Sequence, residues 1–130
     1  MRRVLFICVH NAGRSQMAEA LFNQLAKGKA GARSAGTQPG EALNPRVVQA
    51  LAEVGIDISG QRPKTLTREI LEGVERVITM GCGDECPVTG LPTEDWPLGD
   101  PRIMSLEEVS VLREEMRARV EKLIEEMGLG

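Results

Sequence analysis

Eight consecutive residues, Cys8-Val9-His10-Asn11-Ala12-Gly13-Arg14-Ser15, combine a thiol, a planar cation and a hydroxyl in one short segment. A cysteine at the start of a turn that opens a helix is favoured as its nucleophilic thiolate. Arg14 can grip two oxygens of a tetrahedral oxyanion with its fork of donors. Ser15 can give its hydroxyl hydrogen to the sulfur. The backbone N–H groups of Val9, His10, Asn11, Ala12, Gly13, Arg14 and Ser15 complete a cradle, because a helix start leaves them unpaired and partly positive. The chemistry implied is attack by Cys8 sulfur on a phosphate-shaped ion.

That chemistry needs elements on both sides of the turn, and the sequence supplies them. Val4-Leu5-Phe6-Ile7 is an unbroken apolar run, the mark of a strand buried on both faces. Met17, Ala18, Leu21, Phe22 and Leu25 recur at helical spacing, with Lys27-Gly28 as the stop. The eight residues are thus a strand-to-helix turn at the carboxyl end of a parallel strand, where open α/β sheets bind ligands. A second buried strand is predicted over Val74 to Met80, followed by Gly81-Cys82-Gly83-Asp84-Glu85-Cys86-Pro87. Cys8 and Cys82 are therefore expected at the same sheet edge, and Asp84 and Glu85 read as a solvated charge pair.

The remaining elements are predicted as follows. Ala32 to Thr37 is a short strand. Asn44-Pro45 caps and starts a helix with Val47, Val48, Leu51 and Val54 on its buried side. A short helix covers Arg68 to Glu72, and Asp95-Trp96-Pro97-Leu98 supplies a last strand. Ser105 and Glu108 form a capping box for a final helix buried through Val109, Leu112, Met116, Val120, Leu123 and Met127. The expected fold is α/β, a doubly wound sheet of four parallel strands with helices on both faces, in one domain over residues 1–130.

Bulk properties narrow the function. Hydrophobic residues make up 42% and charged residues 27%, a globular balance, and the net charge of −3 gives no general attraction to nucleic acid or anionic membranes. Aromatic residues are only 2%, too few for base stacking. No stretch has the length of a membrane span or the shape of a signal peptide, so a cytoplasmic location is expected. Three cysteines, an odd number, argue against a structural disulfide framework and for reactive or metal-binding thiols.

The loop Cys8 to Ser15, continuing Gln16-Met17-Ala18-Glu19-Ala20, resembles the signature of the low-molecular-weight tyrosine phosphatase family. With Cys82 and Cys86 it is more similar to that family's thioredoxin-coupled arsenate reductase branch. The resemblance spans nearly the whole chain. It implies that Cys8 attacks arsenate, held by Arg14 and the loop amides, while Asp100 of the Asp100-Pro101 pair protonates the departing oxygen. Cys82 would then attack Cys8 sulfur, releasing arsenite, and Cys86 would resolve the product as a Cys82–Cys86 disulfide for an external thiol carrier such as thioredoxin. Gly81 and Gly83 would permit the backbone change this requires. Asn11, Glu19 and Ser34 match positions that back the loop and in some members hold a monovalent cation. Lys64 stands where those members place an acidic ligand, so its ammonium would take the cation's place. No bound cofactor or metal is expected, and a monomer suffices.

Other readings remain open from the sequence. Cys82 and Cys86 have zinc-ligand spacing and could join Cys8 and His10, although Arg14 and the amide donors would oppose a dication. His10 is the sole histidine and could serve as a base, but the backbone does the binding there and its ring is expected to point outward. Asp100 could be an ordinary turn residue before proline, and Trp96 reads as core or rim packing. A phosphatase acting on phosphomonoesters would need only Cys8, Arg14 and Asp100. A non-catalytic arsenic- or metal-sensing thiol module is the remaining class, without a DNA-binding helix pair to support it.

Overall fold

The computed structural model describes residues 2–82, 86–87 and 89–129. The expected solvated pair Asp84 and Glu85, and the hinge residue Gly83, lie outside the described residues. Four strands form one parallel sheet: β1 (Arg3–Cys8), β2 (Gly31–Gly36), β3 (Val74–Thr79) and β4 (Thr93–Asp95), in the order β2-β1-β3-β4. The α-helices are α1 (Arg14–Ala26), α2 (Pro45–Ala52) and α3 (Leu106–Glu126). β1, the most apolar strand, runs through the middle of the sheet.

Alternation along β1 divides the core in two. Val4, Phe6 and Cys8 point to the face where α1, α2 and α3 pack, with Leu21, Phe22, Leu51, Val109 and Met116 among the buried partners. Leu5 and Ile7 point to the opposite face and join Ala35, Val77 and Cys82. Both faces are covered as the patterning predicts. Among the described residues, however, the second face has a single 3₁₀ turn (Glu69–Leu71) and loop side chains rather than an α-helix. The short helix expected over Arg68 to Glu72 is that turn.

Asn44 caps α2 by accepting from Arg46 N–H, and the capping box of Ser105 and Glu108 opens α3 as read from the sequence. Helix α1 stops at Lys27-Gly28 as expected, with Lys27 itself in the left-handed conformation at φ 51°. The last strand covers Thr93–Asp95 instead of residues 95–98. Its side chains are exposed and polar, so this edge strand carries no apolar signal. Trp96 and Leu98, which suggested the later position, are buried in the helical-face core beyond the strand's end.

Candidate active site

The loop between β1 and α1 is shaped by where its carbonyls go. The C=O groups of Val9, His10, Ala12 and Gly13 accept from Gln38, Gly40, Asn44 and Met17 N–H groups, all outside the loop. Across a trans peptide the next N–H points the opposite way, so the amides of His10, Asn11, Gly13 and Arg14 face inward. Gly36 at the end of β2 presses from behind: a Cβ there would lie 2.7 Å from Val9 oxygen and 3.0 Å from Asn11 nitrogen. A side chain at this position would push the loop out of shape.

Cys8 is buried, and its sulfur lies 2.8 Å from Ser15 Oγ and 3.2 Å from Asn11 N–H. Asn11 holds this arrangement through both ends of its amide. Its Oδ1 accepts from Lys64 N–H at 2.8 Å and from Gln16 Nε2 at 2.9 Å, and its Nδ2 donates to Ser15 Oγ at 2.7 Å. Because Lys64 N–H can only donate, the orientation of the Asn11 amide is fixed. Ser15 Oγ, already accepting from Asn11, is left to donate to the sulfur. The sulfur thus faces two donor hydrogens. Asn11 itself takes φ 50°, a left-handed conformation that asparagine tolerates better than most residues.

Around the sulfur, Ala12, Gly13, Arg14, Asp100 and Arg102 line a cavity of about 30 Å³, above the roughly 10–15 Å³ that one water needs. Arg14 Nη1 donates to Leu98 C=O at 3.0 Å. Its guanidinium also lies flat against Gly81, which has φ 73° and no room for a Cβ. The cation is therefore held in place before any ligand arrives. Pro101 packs on Gly13, bringing Asp100 to the rim. Asp100 Oδ1 accepts from Arg102 N–H at 2.9 Å, and Oδ2 accepts from Arg102 Nε at 2.9 Å and Nη2 at 2.7 Å. Burial works against the charge on Asp100, but the hydrogen bonds and charge of Arg102, with Arg14 adding to them, hold its carboxyl below the ordinary value.

His10 stands at the rim with both ring nitrogens engaged, Nδ1 with Gln38 C=O at 3.0 Å and Nε2 with Arg102 Nη1 at 2.9 Å. The carbonyl demands a donor and the guanidinium an acceptor, so the ring carries its proton on Nδ1 and neither nitrogen is free to act as a base. Behind the loop, Glu19 Oε1 accepts from Ser34 Oγ and from Lys64 Nζ, the latter at 3.0 Å. Asn11, Glu19, Ser34 and Lys64 thus form one connected support. Cys82 and Cys86 are joined in a disulfide with Cα atoms 5.1 Å apart, while Cys8 is free. Cys82 lies at the same sheet edge as Cys8, following β3, but its side chain is buried on the opposite face. Among the described residues no group of three or more His, Cys, Asp or Glu side chains is placed to hold a metal.

Two contributors were not identified from the sequence. Gln16 is buried, bridging Asn11 and Arg62 C=O; a glutamine on the buried side of α1 was the available sign. Arg102 joins Asp100 to His10, and its position two residues after an aspartate in a turn was the only hint.

Over residues 3–129 the chain matches a known family, that of low molecular weight phosphotyrosine protein phosphatases. The chain belongs to this family. One relative is the glutaredoxin arsenate reductase of Synechocystis sp., 38% identical over 128 residues that cover 95% of this chain and 97% of the relative. Among solved structures, a thioredoxin-dependent arsenate reductase of Corynebacterium glutamicum is 41% identical with a TM-score of 0.84. The match covers 99% of this chain and 63% of that longer one. An arsenate reductase in an oxidized state aligns with a TM-score of 0.85 at 37% identity, over 97% of this chain and 98% of the other.

Proposed function

We propose that this family member is an arsenate reductase, with Cys8 as nucleophile and Cys82 and Cys86 as its redox relay. One observation carries the reading: Cys8 stands free in a bowl of donors while the other two thiols, at the same sheet edge, are paired as a disulfide. That is the state expected at the end of one turnover. A phosphatase has no use for the pair, since water completes its reaction.

The steps balance on these residues. Arsenate takes the place suited to a tetrahedral anion, its oxygens on Arg14 and the inward amides. Cys8 thiolate forms a bond to arsenic as an oxygen leaves with a proton from Asp100. Cys82 thiolate then attacks Cys8 sulfur, the sulfur–arsenic bond breaks, and its electron pair stays on arsenic, which departs as arsenite. Cys86 thiolate attacks Cys82 sulfur, Cys8 leaves as thiolate, and an external dithiol carrier reduces the Cys82–Cys86 disulfide. We take the carrier to be thioredoxin; since relatives are named for both thioredoxin and glutaredoxin, each should be supplied in turn. All the groups come from one chain, which supports a monomer, and a relay of thiols fits a reducing compartment such as the cytoplasm.

The test is Cys82→Ser. Arsenate turnover with either carrier is expected to disappear while any hydrolysis of p-nitrophenyl phosphate persists. Retained reduction, or equal loss of both activities in a correctly folded variant, would remove the relay.

A further inference from the structure

A carboxyl that is to donate a proton must first carry one, and in this state Arg102 favours Asp100 as the carboxylate. Both its oxygens accept N–H bonds from Arg102, three in all. Something must therefore change at Asp100 between this arrangement and turnover. Arg102 is the group free to change, because its side chain is 62% exposed and stands over the cavity that Cys8 and Arg14 also line. Its remaining side-chain tether, Nη1 to the neutral His10 ring, belongs to the loop itself.

We propose that Arg102 is an oxyanion-binding residue that exchanges Asp100 for the incoming ligand, closing over its outer oxygens and releasing the carboxyl to take up a proton. The inference rests on the reading of the Cys8 loop as an oxyanion cradle and adds the control of proton supply. A guanidinium fork fits two oxygens of a tetrahedral dianion as well as it fits a carboxylate, and the dianion offers more charge. Arg14 lines the same cavity, so the ligand meets two guanidinium groups. Arg46 donates from Nη2 to Arg102 C=O, which anchors the Arg102 backbone while the side chain moves. Asp100 draws its proton from solvent as Arg102 leaves and passes it to the departing oxygen. An empty site thus keeps its acid ionised, and an occupied one arms it.

The test uses inorganic phosphate as the probe. In a Cys82→Ser/Cys86→Ser background Cys8 is the only cysteine, so its alkylation by iodoacetamide, and the protection phosphate gives, reports occupancy of the bowl. Arg102→Gln is expected to weaken that protection about tenfold or more, the loss of a charge-assisted hydrogen bond, and Arg102→Lys to restore part of it. Followed by ¹³C NMR, the Asp100 carboxyl is expected to titrate at higher pH once phosphate is bound. In Arg102→Gln it should titrate higher already without phosphate and respond less to it. If phosphate does not protect Cys8 in the parent, the cradle reading itself falls. If it protects parent and Arg102→Gln alike, or if Asp100 titrates identically with and without phosphate, the cradle stands and the exchange is overturned.

Discussion

Asn11 makes four contacts, three of them through its side-chain amide, and each serves the sulfur. Its N–H reaches Cys8, its Nδ2 turns the Ser15 hydroxyl toward Cys8, and its Oδ1 ties down Lys64 N–H and Gln16. Asn11→Ala takes the acceptor from the part-buried Lys64 N–H and one of two acceptors from Gln16 Nε2, each loss costing about 1–3 kcal/mol. The expected outcome is a stability loss of roughly 2–5 kcal/mol in denaturant titration and slower alkylation of Cys8. Behind Asn11, Lys64 Nζ meets Glu19, which also accepts from Ser34. We expect turnover to be unchanged when sodium is exchanged for potassium, and Lys64→Ala to become potassium-activated. A marked potassium response in the unaltered protein would show that the ammonium does not fill that place. Cys8, Arg14 and Ser15 were legible in the sequence because their partnership is local. Arg102 and Gln16 were not, since what gives them meaning is a contact made only after folding.

At the scale of elements, the loop keeps its form because β2 ends in a residue without a side chain directly behind it. In Gly36→Ala the new Cβ would meet main-chain atoms at 2.7–3.0 Å, and main chain cannot rotate aside as a flexible side chain can. The loop must then shift, and a displacement near 1 Å can cost about 100-fold in rate. Arsenate turnover is expected to fall on that order, whereas Gly60→Ala, which meets nothing within 4 Å, should leave it unchanged; equal rates in both variants would refute a role for this contact. The strands and helices that make the bowl were readable, because β1 and α1 announce themselves by opposite periodicities on either side of the loop. Edge strand β4 was misplaced, for the reason that an exposed strand paired on one side needs no apolar residues. The close approach of Gly36 could not be foreseen either, as nothing in a lone glycine says which loop will lie against it.

Across the whole molecule the relay must pass from one face of the sheet to the other. Cys8 belongs to the helical-face core, and Cys82 is buried with Leu5, Ile7, Ala35 and Val77 on the opposite face. A Cys8–Cys82 disulfide therefore requires Cys82 to leave that second core, which among the described residues is closed by a single 3₁₀ turn and loop side chains. It is the thinner cover and the one that can open without disturbing α1 or α3. Cys86→Ser should stop the relay at this point, giving one arsenite per protein molecule and a trapped Cys8–Cys82 bond. Melting temperature alone would misreport the opening. Bridging Cys8 to Cys82 closes a loop of roughly 75 residues and restrains the unfolded chain by about 4.5 kcal/mol, against about 2 kcal/mol for the short Cys82–Cys86 loop. Amide hydrogen exchange reads each face separately. In the trapped variant the amides of Leu66, Ile70, Leu71 and Val77 are expected to lose protection, while those of Phe22, Met116 and Val120 keep it. Unchanged protection at the first group would mean that Cys82 reaches Cys8 without opening its core, and loss at both would mean that the opening is global.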